Sequence, residues 1–202
     1  MQISLDNAGK KFNKQWVFRN ISHTFSESSH TAILGKNGSG KSTLLKTIAS
    51  FISLTEGSVK YGTNRQAFCK HEFHSKLSIA SPHLELIEEL SLIQLLKLHF
   101  RLKPEIKNLS IEEAINGLEL GKSSFKPVKH FSSGMKQRLK LGLALFSDVN
   151  LTLLDEPCTN LDKDSKKWYQ DMLIKTAGSR TLIIFSNNNY EEIFSCSSSF
   201  SL

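Results

Sequence analysis

Cysteine is scarce in this 202-residue chain: Cys69, Cys158 and Cys196 are the three present, far apart and without a C-x-x-C pair. An odd count with no close pair excludes a disulfide framework and fits a reducing compartment. Long apolar runs are missing as well, and nothing approaches the roughly 20 residues that cross a bilayer. Residues 1–6 lack the basic and apolar regions of a secretory leader. The chain by itself is therefore expected to be soluble and cytoplasmic, and any work at a membrane needs another chain to supply the spanning part. The formal net charge is +7, yet the longest like-charge runs are the pairs Lys10-Lys11 and Lys166-Lys167. No basic stretch carries interleaved aromatics, so no direct nucleic-acid partner is expected. Internal repeats are absent too.

What is present is a pattern of short apolar runs between helical stretches. With 39% apolar and 22% charged residues, residues 1–202 have the makings of a single domain around one core. Thr31-Ala32-Ile33-Leu34 stops at Gly35, Leu151-Thr152-Leu153-Leu154 stops at Asp155, and Thr181-Leu182-Ile183-Ile184-Phe185 stops at Ser186-Asn187. Runs without alternation suit strands buried on both faces of a parallel sheet, and ligands of such sheets sit beyond the carboxyl ends. Helical spacing follows over residues 41–50, over 135–146 with Leu139, Leu143 and Phe146 on one face, and over 164–175 with Trp168 and Met172.

Residues 84–130 read as a mainly helical insertion. A helix is expected over residues 85–102, Pro104 interrupts, and Ser110 with Glu113 marks another N-terminus. Residues 1–30 and 57–61 alternate more loosely and predict a small antiparallel sheet. The fold class is α/β, with a core from 1–83 and 131–202. The serine-rich tail is too polar for a closing strand and is left unassigned.

Gly35-Lys36-Asn37-Gly38-Ser39-Gly40-Lys41-Ser42-Thr43 fits G-x-x-x-x-G-K-[ST], after a strand and at the start of a helix. Glycines let the backbone curl so that successive N–H groups point at phosphate oxygens. The helix start adds its positive end, worth about 0.3–1 kcal/mol per exposed anionic charge. Lys41 supplies a full charge to terminal phosphates, and Ser42 offers a hydroxyl to Mg²⁺. At the second strand end, Asp155 is placed to hold Mg²⁺, and Glu156 to polarise an attacking water.

Taken together, the arrangement resembles the nucleotide-binding domain of ABC transporters, within the P-loop NTPase superfamily, and the likeness covers nearly the whole chain. Phe131-Ser132-Ser133-Gly134-Met135-Lys136-Gln137-Arg138 is similar to the family signature, Thr159-Asn160-Leu161-Asp162 to its D-loop, and Phe12 sits where the family places an adenine-stacking aromatic. The resemblance implies an ATP- and Mg²⁺-dependent ATPase at the cytosolic face of a membrane. It implies a head-to-tail dimer with a second such domain, Ser132, Ser133 and Gly134 of one closing on the phosphate loop of the other. It also implies docking of residues 84–130 on a separate transmembrane subunit.

Three positions depart from the family pattern. Asn187 replaces the usual histidine near the γ-phosphate; an amide donates a hydrogen bond but carries no charge. Ile79-Ala80-Ser81-Pro82-His83 lacks the usual glutamine, and His83 is either its substitute or a plain surface residue. Ser133 replaces a signature glycine and fits only if its backbone avoids positive φ. Slow hydrolysis is expected. The rivals are a weakly hydrolysing partner in an asymmetric dimer and a soluble ABC-type ATPase of translation or repair. Trp16 and Trp168 are expected to be packing residues. Cys69, His71 and His74 form no usual zinc spacing.

Overall fold

The computed structural model of the protein describes residues 1–63, 68 and 70–202. Its centre is a parallel sheet in the order β5-β6-β7-β3-β8. The strands are β3 (His30–Leu34), β5 (Leu77–Ala80), β6 (Leu151–Asp155), β7 (Thr181–Ser186) and β8 (Ser198–Ser201). Every residue of β6 and β7 is buried, and their two faces feed two cores. Leu154, Leu182 and Ile184 enter one; Leu151, Leu153, Ile183 and Phe185 enter the other. Burial on both faces is why these runs show no polar alternation.

The first core is closed by α3 (Leu92–Leu102), α4 (Ile111–Leu118), α5 (Ser133–Leu145) and α6 (Lys163–Thr176). Leu96, Leu118 and Leu139 are fully buried there, and each such leucine contributes about 1.5–3 kcal/mol. The second core lies under α1 (Lys41–Ile48) and an antiparallel sheet in the order β2-β1-β4, from β1 (Gln2–Phe12), β2 (Gln15–Phe25) and β4 (Glu56–Gly62). The short helices α2 (Lys70–Ser75) and α7 (Tyr190–Ile193) complete the chain.

Three features differ from expectation. The helix predicted over residues 85–102 starts only at Leu92, capped by Ser91 in a reciprocal box with Gln94. The preceding residues are committed to extended pairing: Lys129 N–H donates to Glu88 O, Val128 N–H to Leu90 O, and Ser91 bridges Pro127. The polar tail forms β8, which pairs with β3. Three of its four residues are exposed, as an outermost strand tolerates. Trp168 packs as expected, donating its Nε1–H to Gly117 O at 2.7 Å. Trp16 does not; it is half-buried on β2, with the Arg19 guanidinium 4.4 Å from its ring centre. The box predicted at Ser110 is present, with Glu113 returning to the Ser110 N–H.

Register sets the site. Leu34 stands opposite Ser186, Asp155 opposite Phe185, and Ala80 opposite Leu154. Gly35, Ser81, Glu156 and Asn187 therefore leave the sheet along one edge.

Candidate functional site

The phosphate loop begins where Gly35 N–H donates to Ser186 O at 3.3 Å. A Cβ on Gly35 would lie 2.4 Å from Ser39 Oγ, so a side chain there would distort the loop. Gly40 has φ of 101°, caps α1, and would bring a Cβ to 2.7 Å from the Val17 side chain. Only glycine meets both demands. α1 has no side-chain cap and no acidic residue in its first turn, and its first internal bond runs from Leu44 N–H to Gly40 O. Its leading N–H groups are therefore available to an anion. Ser39 Oγ is buried without a partner.

Lys41 is 5% exposed, and its Nζ donates to Gly35 O at 2.7 Å and Lys36 O at 3.1 Å. The ammonium is held by the very loop that surrounds the cavity. That cavity measures about 350 Å³ and is lined by Asn37, Gly38, Gly40, Lys41, Ser42, Thr43 and Glu156, together with Val17 and His83. Val17, which arrives from β2, is an addition to the predicted set; His83, weighed above as a substitute for the missing glutamine, follows β5 and lines the cavity.

Asp155 is buried, and its Oδ2 accepts from Ser42 Oγ and Ser81 Oγ, both at 3.1 Å. Burial pushes its carboxyl above the ordinary range; the two hydroxyls pull it down, Glu156 raises it and His83 lowers it. A buried carboxylate hydrogen-bonded to two hydroxyls, beside a loop of anion-seeking donors, fits a divalent cation. Ser81 escaped the sequence reading. The signal was its place one residue beyond β5, beside the strand that ends in Asp155.

Glu156 points elsewhere because its backbone turns sharply: φ is 41°, and its N–H donates to Phe185 O at 2.9 Å. Non-glycine residues seldom adopt this left-handed region, and strain of this kind gathers at functional sites. Asp155 consequently borders the inner cavity of about 140 Å³, and Glu156 the phosphate cavity.

The signature residues lie apart. Ser132 caps α5 and accepts from Met135 N–H at 3.2 Å. Ser133 is in the first turn of the helix and has no positive φ, so the serine meets its condition. A Cβ on Gly134 would sit 3.1 Å from Asn160 O, so that glycine lets the D-loop approach. Ser132 and Gly134 line a separate cavity of about 770 Å³ with Asn160 and Asp162. Phe12 is 50% exposed and Asn187 is exposed; neither lines the phosphate cavity. Phe12 pairs with Gln15 at the hairpin end, and the Lys10 ammonium lies 5.0 Å from its ring centre. Cys69, part of the cluster judged unsuited to zinc, lies outside the described residues.

Comparison with known proteins agrees with this geometry. The family model described as ABC transporter matches residues 18–159. The uncharacterized ABC transporter ATP-binding protein YybJ of Bacillus subtilis is 30% identical over 193 residues, 96% of this chain and 88% of the relative. The lantibiotic transport ATP-binding protein SrtF of Streptococcus pyogenes is 30% identical over 165 residues, 79% and 68% of the two chains. Among solved structures, a putative ABC transporter ATP-binding protein from Pyrococcus furiosus shares the fold, with TM-score 0.82, 22% identity, and coverage of 100% and 98%.

Proposed function

Because this chain belongs to the ABC transporter family of ATP-binding proteins, we propose that residues 35–43 grip the triphosphate of ATP and that Glu156 directs its hydrolysis, driving a separate membrane-spanning subunit. The observation that carries this reading is the glycine-curled loop itself, with Lys41 behind it and Ser42 joined to a buried Asp155. Ser42 and Asp155 are the residues to hold Mg²⁺, which supplies charge neutralisation on the phosphates. The loop N–H groups orient the phosphates, and the Lys41 ammonium turns from the Gly35 and Lys36 carbonyls to stabilise their charge. Glu156 accepts a proton from the attacking water as the terminal phosphoryl group leaves. Asn187 donates a neutral hydrogen bond at the strand end, and Phe12 stacks on the base.

Ser132 and Gly134 do not meet the phosphate loop within one chain. That separation favours a head-to-tail pair, in which the α5 N-terminus of one copy closes the phosphate cavity of another nucleotide-binding domain. Residues 84–130 serve as the helical lobe of one ABC-type domain. Beside it runs a groove of about 410 Å³ lined by Phe51, Leu84, Leu86 and Leu143, with His99, Lys103 and Lys140 on its walls. Phe51 is 56% exposed. The groove suits an amphipathic helix of the membrane partner, a fit that supports a position on the cytosolic face. No helix among the described residues is long and apolar enough to cross a membrane.

The test is phosphate release from Mg-ATP by the native chain and by Glu156→Gln. Equal rates reject hydrolysis. A second reading, a slow partner in an asymmetric dimer, is favoured by the neutral Asn187. Turnover that appears only when a second nucleotide-binding subunit is added selects it.

A further inference from the structure

Glu192 is a charged residue with no part in the chemistry above, and it is 3% exposed. Its Oε1 accepts from Cys158 N–H at 3.2 Å, and its Oε2 from Ser186 Oγ at 2.5 Å. Its backbone carbonyl accepts from the Tyr169 hydroxyl at 3.0 Å, which fixes α7 against α6. Burial raises its carboxyl above the ordinary range, the bonds from Ser186 and Cys158 pull it down, and the nearby Glu156 and Asp155 raise it. A carboxylate kept in this place is unfavourable for stability unless its two bonds are needed.

Those bonds join segments that leave neighbouring strands. Cys158 belongs to the turn after β6, two residues beyond Glu156. Ser186 is the last residue of β7, directly before Asn187, and its Oγ also accepts from Asn189 N–H at 3.1 Å. Its carbonyl accepts from Gly35 N–H, the first donor of the phosphate loop. One carboxylate thus ties the Glu156 turn to the residue that anchors both Asn187 and the loop.

We propose that Glu192 is a positioning residue for ATP hydrolysis, clamping residues 156–162 to residues 186–189 so that Glu156 and Asn187 keep a fixed separation. The proposal rests on the roles given to those two residues above. Gln at position 192 keeps both bonds, because its oxygen still accepts from Cys158 and its amide donates to Ser186. Ala removes both, and Ser186→Ala removes one.

Two measurements test it. The first is hydrogen exchange by mass spectrometry on the nucleotide-free chain, which needs no turnover. Glu192→Ala is expected to speed exchange in both segments by about tenfold, the loss of one buried hydrogen bond, with Glu192→Gln within about threefold of native. Unchanged exchange in either segment overturns the clamp. The second is steady-state hydrolysis, with Glu156→Gln as background. Glu192→Ala is expected to lower kcat by about 10²-fold, as a displacement near 1 Å does, with KM within about threefold. Glu192→Gln recovers the rate, and Ser186→Ala, the variant that leaves Glu192 in place, falls between. A raised KM at native kcat, or a Gln variant as slow as Ala, overturns the positioning role. A native rate equal to Glu156→Gln instead overturns hydrolysis itself, and the exchange result then decides the clamp alone.

Discussion

Glu156 occupies a backbone conformation that glutamate does not favour, and replacing it should expose that conflict. At φ of 41° a Cβ crowds the backbone, at about 1–2 kcal/mol for an L-residue. Glycine adopts the region freely but brings more conformational entropy to the unfolded chain, about 0.5–1 kcal/mol. The difference leaves Glu156→Gly more stable than Glu156→Ala by roughly 1 kcal/mol, and for a chain of this size 1 kcal/mol moves Tm by about 2–4 °C. Both variants delete the same carboxylate, and with it the repulsion that Glu156 exerts on Asp155. Their comparison therefore isolates the backbone. The assay is thermal denaturation of the nucleotide-free variants, with nucleotide binding as a check that each retains the loop. A Tm for Ala equal to or above that for Gly would refute the reasoning. The expected order means that this turn holds an L-residue where glycine would fold better, a cost consistent with the role proposed for the carboxylate.

Further outcomes follow from the same structure. Asp155→Asn should raise the nucleotide-free Tm at pH 8, while removing the Mg²⁺ dependence of nucleotide binding. The sign comes from a carboxyl raised by burial: its contribution to stability is present below the ordinary Asp value and lost as pH rises through the raised one. The gain should therefore shrink at pH 5, as Tm at the two pH values will check. His99 is held below 6.5 by burial and by Lys103, and its Nε2 lies 2.8 Å from Ser147 Oγ. Its contribution is present above 6.5 and lost as pH falls through the lowered value, so His99→Gln should make the acid-side decline in Tm shallower. His23 and His30 share the direction and keep the decline from vanishing. Phe12→Ala should weaken ATP binding by about 1 kcal/mol, roughly fivefold, and leave tripolyphosphate binding unchanged, as competition with a fluorescent nucleotide will show.

The three strands that carry chemistry were legible because each is buried on both faces and ends in a polar motif. Gly40 and Lys41 were legible for the same reason, since the loop chemistry admits few alternatives. What could not be read depended on pairing rather than on side-chain character. Residues 84–91 have helical composition, but Glu88, Leu90 and Ser91 pair through the backbone with residues 127–129. The tail is polar, yet the free edge of β3 recruits it as β8. Ser81 gains its meaning from the order of β5 and β6, which no local spacing reveals. Glu192 looks like one of two surface acids on a short helix; only packing against the turn after β6 buries it.

The bonds that join residues 88 and 90 to residues 129 and 128 bring the start and finish of the helical stretch side by side. Between them α3 and α4 are locked into the first core, and Glu105 bridges Ser147 midway. The exposed turns of that excursion are free to grow, at about 0.6 kcal/mol for each doubling of a flexible loop. Insertions there can thus reshape the outer surface while the phosphate cavity keeps its form.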